Sequence, residues 1–377
     1  MSRNVDTFSV LLPDKLHTDG KWDMGTRDCE PFGIALVVPL RSTGGIFGPS
    51  CCAVAQLAVE EINQTVGILG RPAELHVVDG GLPPALVARE VAGLVDQERV
   101  QAITGWHTNP VRNAIVAQVR GRVPYVYTAL YEGGEARPGV FSSGEVPHNQ
   151  VAPALGWLRR NLGVTDWVVV GHDYSWPHRS ARFVVDVAER IGIRVRGAAF
   201  APMDDEPAVL RLVDFVERSS ARAVMMFFVG QDAAIFNRRF AARGLHLRTL
   251  RYSPLMDESM LLASGVDATQ NLYSSAAYYR SLVTVATLDL QSRYSALHGP
   301  VAPPLNNTAE SIYEGISTLY HLYARAKTTE MTRINSSVVG LAYDGPRGVV
   351  QYHGPQSNQH IYLAQADGFD FDVLAGL

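Results

Sequence analysis

Lysine is nearly absent from this chain of 377 residues: of its 33 basic residues, all but Lys15, Lys21 and Lys327 are arginine. Chemistry that depends on a lysine amine therefore has few candidates, and no G-x-x-x-x-G-K-[ST] phosphate loop occurs. Cysteine is equally scarce. Cys29 stands between Asp28 and Glu30, and Cys51 adjoins Cys52, so the 3 thiols build neither a disulfide framework nor a zinc site. No run reaches the roughly 18 apolar residues needed to span a bilayer. His107, His148, His172 and His178 show no metalloprotease spacing, and no G-x-S-x-G is present, so neither a metal site nor a hydrolase nucleophile can be named and no cofactor is expected. A net charge of −4 argues against broad nucleic-acid binding. With 47% apolar and 19% charged residues, the chain reads as a folded, water-soluble protein.

The first 32 residues mix Arg3, Lys15, Lys21 and Arg27 with Asp6, Asp14, Asp19, Asp23, Asp28 and Glu30, and their longest apolar run is Val10-Leu11-Leu12. That is not a secretory signal pattern, and no apolar segment prepares Cys29 for lipid attachment. The expectation is a flexible N-terminal extension over 1–32 and a cytoplasmic location. The sequons at Asn63, Asn306 and Asn335 carry little weight without a secretory context.

From Gly33 onward short β-branched runs alternate with stretches of helical period. Strands are expected over 34–38, 75–78, 102–104, 123–126, 167–170, 195–200, 223–228, 249–252 and 271–274. Pro49 and Pro83-Pro84 open helices, Asp205 caps another, and Asn307 with Glu310 forms a capping box for a fourth. This alternation predicts an α/β protein of two doubly wound, open parallel-sheet lobes. Lobe 1 is expected to hold 33–128 plus 276–325, and lobe 2 to hold 129–275 plus 326–377. Crossing strands near Thr128, Ser253 and Leu341 are the expected hinges. Such lobes bind small ligands at the carboxyl ends of their strands.

The loops at those ends are informative. Arg41-Ser-Thr-Gly-Gly-Ile-Phe-Gly48 has G-G-x-x-G rather than dinucleotide spacing, and reads as a Gly-rich turn. Trp106-His-Thr-Asn109 precedes a helix start, whose open N–H groups attract an oxygen. Tyr127 to Gly133 and Gly171 to Pro177 add Tyr127, Tyr131, Tyr174 and Trp176, aromatics suited to stacking on a small planar ligand. Val229-Gly-Gln231-Asp and Ser253-Pro-Leu-Met256-Asp also follow strands and complete the cleft.

Several segments in this order resemble the type I periplasmic-binding-protein superfamily. They are Leu57-Ala-Val-Glu-Glu-Ile-Asn63, Gly67-Ile-Leu-Gly-Arg-Pro72, Tyr131-Glu-Gly133, Pro147-His-Asn-Gln150 and Asp173-Tyr174 with Pro177. The last three resemble its urea and short-chain amide branch. The charged start is similar to that of cytoplasmic amide sensors that regulate amidase expression. The resemblance implies two lobes closing on an amide or nitrile-derived amide. It also implies control of an amidase or nitrile hydratase operon through a regulator, in the family an RNA-binding antiterminator, with homo-oligomers possible. The alternative it implies is a solute receptor of an ABC transporter for urea, amides or branched-chain amino acids. Carried over by position, the ligand contacts fall on His107, Asn109, Tyr127, Ala129, Leu130, Tyr174 and Trp176. Trp106, Gln231 and Met256 join them from the loop reading. Asn109 is expected to meet both the carbonyl and the NH2 of an amide. Ala129 and Trp176 are expected to make the pocket apolar on one side, for an amide larger than acetamide.

Overall fold

The computed structural model describes residues 30–358 and 360–377, so the extension expected over 1–32 lies outside the described residues apart from its last three positions. Strand β1 (Phe32–Val38) is an unbroken apolar run with parallel partners on both sides, and every residue in it is buried. It is followed by α1 (Gly48–Asn63), β2 (Ala73–Asp79), α2 (Pro84–Asp96), β3 (Ala102–Gly105), α3 (Asn109–Val119), β4 (Tyr125–Tyr127) and β5 (Val140–Ser142). The second set is α4 (Val151–Leu162), β6 (Asp166–His172), α5 (Ser175–Arg190), β7 (Arg194–Ala201), α6 (Glu206–Ser219), β8 (Ala223–Phe227), α7 (Gln231–Ala242), β9 (Leu250–Ser253), α8 (Glu258–Ser264) and β10 (Leu272–Ala276). Then come α9 (Val285–His298), α10 (Asn307–Ala326) and α11 (Met331–Ser337). The chain finishes with β11 (Ala342–Gly345), β12 (Gly348–His353), β13 (Gln356–Asn358), β14 (Tyr362–Asp367) and β15 (Asp370–Gly376).

The described strands form an eight-stranded sheet, β11-β12-β13-β5-β4-β3-β1-β2, and a seven-stranded sheet, β15-β14-β10-β9-β8-β6-β7. The parallel cores β2-β1-β3-β4-β5 and β7-β6-β8-β9-β10 share one doubly wound order, starting from an inner strand and reversing once. The expected α/β architecture of two such lobes is present. In each lobe the reversal, between β1 and β3 or between β6 and β8, opens a crevice at the carboxyl ends of the strands. Among the described residues, no helix is long and apolar enough to cross a membrane.

All the expected strands form, with ends within two residues of the reading. The short strand β5 escapes it, because three residues after the left-handed Gly139 (φ 79°) carry no period to detect. Pairing of β5 with β4, and of β13 with β5, extends the first lobe's sheet beyond 128 and brings 342–358 into it. The tail is therefore divided, with only β14 and β15 joining the second sheet, rather than lying in lobe 2 as a whole. The passages between lobes accordingly fall after β5, after β10 and between β13 and β14, not at Thr128, Ser253 and Leu341. Thr128 directly follows β4 inside the first lobe, Ser253 closes β9 inside the second, and Leu341 leads into β11 of the first sheet.

These passages are tied by side chains. Gln150 donates to the carbonyls of Pro254 (2.8 Å) and Ser275 (2.6 Å). Glu145 accepts from the Ala277 amide and from Asn307 Nδ2, each at 3.1 Å. Asn307 is thus taken, and the cap of α10 is Asn306, which accepts from the Ala309 amide at 2.8 Å. Glu310 closes no capping box: it is buried against the Arg347 guanidinium at 2.7 Å.

Candidate ligand site

Two strand-end loops from the first lobe face three from the second across a small interlobe cavity. After β3 come Trp106, His107, Thr108 and Asn109, while Tyr127 ends β4 and Ala129 and Leu130 follow it. Tyr174 and Trp176 follow β6, while Val229 and Leu255, after β8 and β9, complete the wall. The cavity opens past Trp106, His107, Tyr174 and Val229 into an outer chamber of about 340 Å³, which reaches Pro39, Arg41, Leu82, Pro83, Met203 and Asp204.

Eight of the ten residues expected at the site line the inner cavity; Gln231 and Met256 do not. After β8 the chain turns at Gly230 (φ 59°, ψ −131°), which leaves Val229 on the cavity wall and makes Gln231 the first residue of α7. After β9 it is Leu255 that reaches the wall, while Met256 is buried behind it with its carbonyl accepting from Ser274 Oγ at 3.1 Å. Thr108, Val229 and Leu255 also line the cavity, though within the same loops they were not singled out as site residues. Which residue faces inward depends on turn geometry that spacing does not encode.

The polar groups divide into those already used and those available. His107 donates from Nδ1 to the Thr108 carbonyl (3.2 Å), so its Nε2 accepts from the Tyr125 hydroxyl (2.7 Å). Burial pushes its pKa down to about 3, so the ring is a neutral wall. Tyr127 donates to the His107 carbonyl at 2.6 Å. Asn109 is also committed, contrary to the expectation that it meets an amide at both ends. Its Nδ2 donates to Glu132 (3.0 Å) and its Oδ1 accepts from Ser175 Oγ of the second lobe (2.9 Å). Glu132 also accepts from Arg112 at 3.0 Å. That guanidinium is buried between the rings of Tyr127 and Tyr131, 4.8 and 4.9 Å from their centroids.

The Tyr174 hydroxyl, the Trp106 and Trp176 indole N–H groups and the Thr108 hydroxyl have no protein hydrogen-bond partner among the described residues. Burial raises the Tyr174 pKa, keeping its hydroxyl protonated and able to donate. No Asp, Glu, Lys or Arg lines the inner cavity. The arrangement therefore offers donors and aromatic faces and no countercharge. Among the described residues no group of three His, Cys, Asp or Glu is placed to hold a metal ion.

The sequence matches the family model described as periplasmic binding protein over residues 31–370. The chain is similar to the leucine binding protein of Thermotoga maritima, with TM-score 0.80, 18% identity, and coverage of 92% of this chain and 98% of that one. It is also similar to an ABC-transporter solute binding protein from R. palustris in complex with benzoate, with TM-score 0.79, 18% identity, and coverage of 92% and 96%. A branched-chain amino acid transporter substrate binding protein from Streptococcus pneumoniae, in complex with isoleucine, gives TM-score 0.78, 16% identity, and coverage of 92% and 98%. At these identities the likeness shows a shared fold.

Proposed function

Because the chain belongs to the periplasmic binding protein family, we propose that it is a receptor for one small solute, of the ABC-transporter type. The observation that carries this reading is the aromatic, uncharged cavity formed by strand-end loops of both lobes. The family binds ligands rather than transforming them.

Chemistry narrows the solute. An amino acid would bury an ammonium group, which is costly without a partner carboxylate. Glu132, behind the cavity, is already engaged by Asn109 and Arg112. A planar solute with an acceptor oxygen and an apolar body suits the chemistry of the lining, its oxygen taking the Tyr174 and indole donors and its body the aromatic faces, once the lobes part to widen a cavity of about 10 Å³. A primary amide with a ring or branched body meets these terms, its NH2 donating to the Thr108 or Tyr174 oxygen. Calorimetry with benzamide, butyramide, acetamide, benzoate and isoleucine tests this. Benzamide or butyramide is expected to bind most tightly, and isoleucine binding most tightly overturns the assignment.

The regulatory role, with an amidase operon and an antiterminator partner, gains no support from the relatives, which are transport receptors. Location separates the two: a transport receptor is exported and a cytoplasmic sensor is retained, so fractionation of the source cells decides between them.

A further inference from the structure

We propose that the loop Arg41–Gly44 of the first lobe is a latch that holds the two lobes closed without help from the solute. Thr43 lies at its centre and is almost fully buried against the second lobe. Its amide donates to Asp204 Oδ1 (2.6 Å), its hydroxyl donates to the Val229 carbonyl (2.8 Å), and the same oxygen accepts from the Asp232 amide (2.8 Å). The neighbouring Ser42 hydroxyl donates to the other oxygen of Asp204.

The receiving side is built to match. Asp232 Oδ2 accepts from the Asp204 amide (3.0 Å) and from His172 Nε2 (2.9 Å). The Val229 amide donates to His172 Nδ1 (3.1 Å), so the imidazole proton sits on Nε2, facing Asp232. A fully buried ring at the carboxyl end of β6 thus orients the carboxylate that orients Asp204.

Backbone geometry makes the contact more than an incidental touch. Ser42 (φ 64°, ψ −175°) and Asp204 (φ 60°) are both non-glycine residues at positive φ, and they bond to each other. Such conformations persist only where surrounding contacts hold them, and they concentrate in switch regions. Opposite them, a Cβ on Gly230 would come within 2.0 Å of the Thr43 carbonyl, so the backbones can meet only at a glycine.

Of the latch residues only Val229 lines the inner cavity, so none of the latch bonds needs a solute as a partner. Arg41, Ser42, Gly44 and Asp204 wall the outer chamber, so the latch also stands across the route by which solute leaves. Closed molecules are then populated before solute arrives, and release waits for the latch to open.

The experiment uses no solute, so an error in the assigned solute class leaves it untouched. The full chain is unfolded and refolded to strip any carried ligand, then compared by small-angle X-ray scattering and amide hydrogen exchange with Thr43→Val and Asp204→Asn. The expected result is a closed scattering profile for the parent with protected Thr43 and Asp232 amides. The variants are expected to show a larger radius of gyration and about tenfold or faster exchange at Asp232. Asp204→Asn keeps the size of the side chain and tolerates positive φ, so it reports if Thr43→Val does not fold. A ligand-free parent that scatters as open, or folded variants as closed and protected as the parent, overturns the proposal.

Discussion

His107 gives the site a pH dependence whose sign follows from its burial. Its folded pKa of about 3 lies well below the ordinary value of 6.5. Between those limits the unfolded chain takes up a proton that the folded chain refuses, so this residue makes stability fall as pH drops from about 6.5 towards 3. Urea unfolding across that range is expected to show a shallower loss for His107→Gln than for the parent, and equal slopes would contradict the assignment. Asn109 makes a different kind of prediction, because its amide joins Glu132 to Ser175 across the lobes. Asn109→Ala should weaken the best-binding solute by about tenfold, the scale of one charge-assisted hydrogen bond. Tyr174→Phe, which keeps the ring and removes the available hydroxyl, should weaken it while leaving the unfolding midpoint within a degree or two. Calorimetry beside thermal unfolding separates these outcomes. The same residues show what the sequence could reveal. Their chemistry marked the loops as polar and aromatic, but whether Asn109 faces a ligand or a neighbouring carboxylate is decided by Glu132, which is remote along the chain.

At the scale of elements, the passages between lobes meet over a buried group of charges. Glu145 leaves β5, Glu310 and Glu314 project from α10, and Arg347 comes from the turn between β11 and β12. Three carboxylates share one guanidinium out of water, and burial together with the like charges of Glu314 and Glu145 raises the Glu310 pKa despite Arg347. The folded chain therefore retains a proton on Glu310 that the unfolded chain releases near the ordinary value of 4.5, and stability is lost as pH rises above it. Glu310→Gln is expected to be more stable than the parent at pH 9 and closer to it at pH 5, as read by denaturant midpoints. Arg347→Met leaves the carboxylates uncompensated and should cost about 3–5 kcal/mol. The sequence marked Glu310 as a capping residue because Asn307 precedes it by three. The register of α10 overrode that reading by using Asn306 as the cap and turning Glu310 inward.

For the whole molecule, two lobes closed around one cavity imply that solute stabilises the entire chain. At a solute concentration of 100 times Kd, the expected gain is about 2.7 kcal/mol. Thermal unfolding should therefore shift upward with the best member of the calorimetric panel and stay unmoved with the weakest. A shift that persists in Tyr174→Phe with Trp176→Ala would place binding outside the cleft. Closure also gives meaning to the Gly-rich turn after β1. G-G-x-x-G was legible as turn chemistry, and in three dimensions it carries Thr43 to Asp204 and Asp232.

The sequence alone determined most of the elements and the fold class, because strand and helix periods are local and the longer buried parallel strands declare themselves as β-branched runs. It also identified the loops at the carboxyl ends, since aromatic and amide side chains gather there at helix starts. Tertiary structure alone decided the division of the tail between sheets, the places where the chain crosses between lobes, and which side chains are left for a solute. Those outcomes depend on pairings between residues far apart in the chain: β13 with β5, Glu145 with Ala277, Asn109 with Ser175 and Thr43 with Asp204. The scarcity of lysine and cysteine excluded chemistries, and the fold then turned the remaining aromatic loops into the walls of one uncharged cavity.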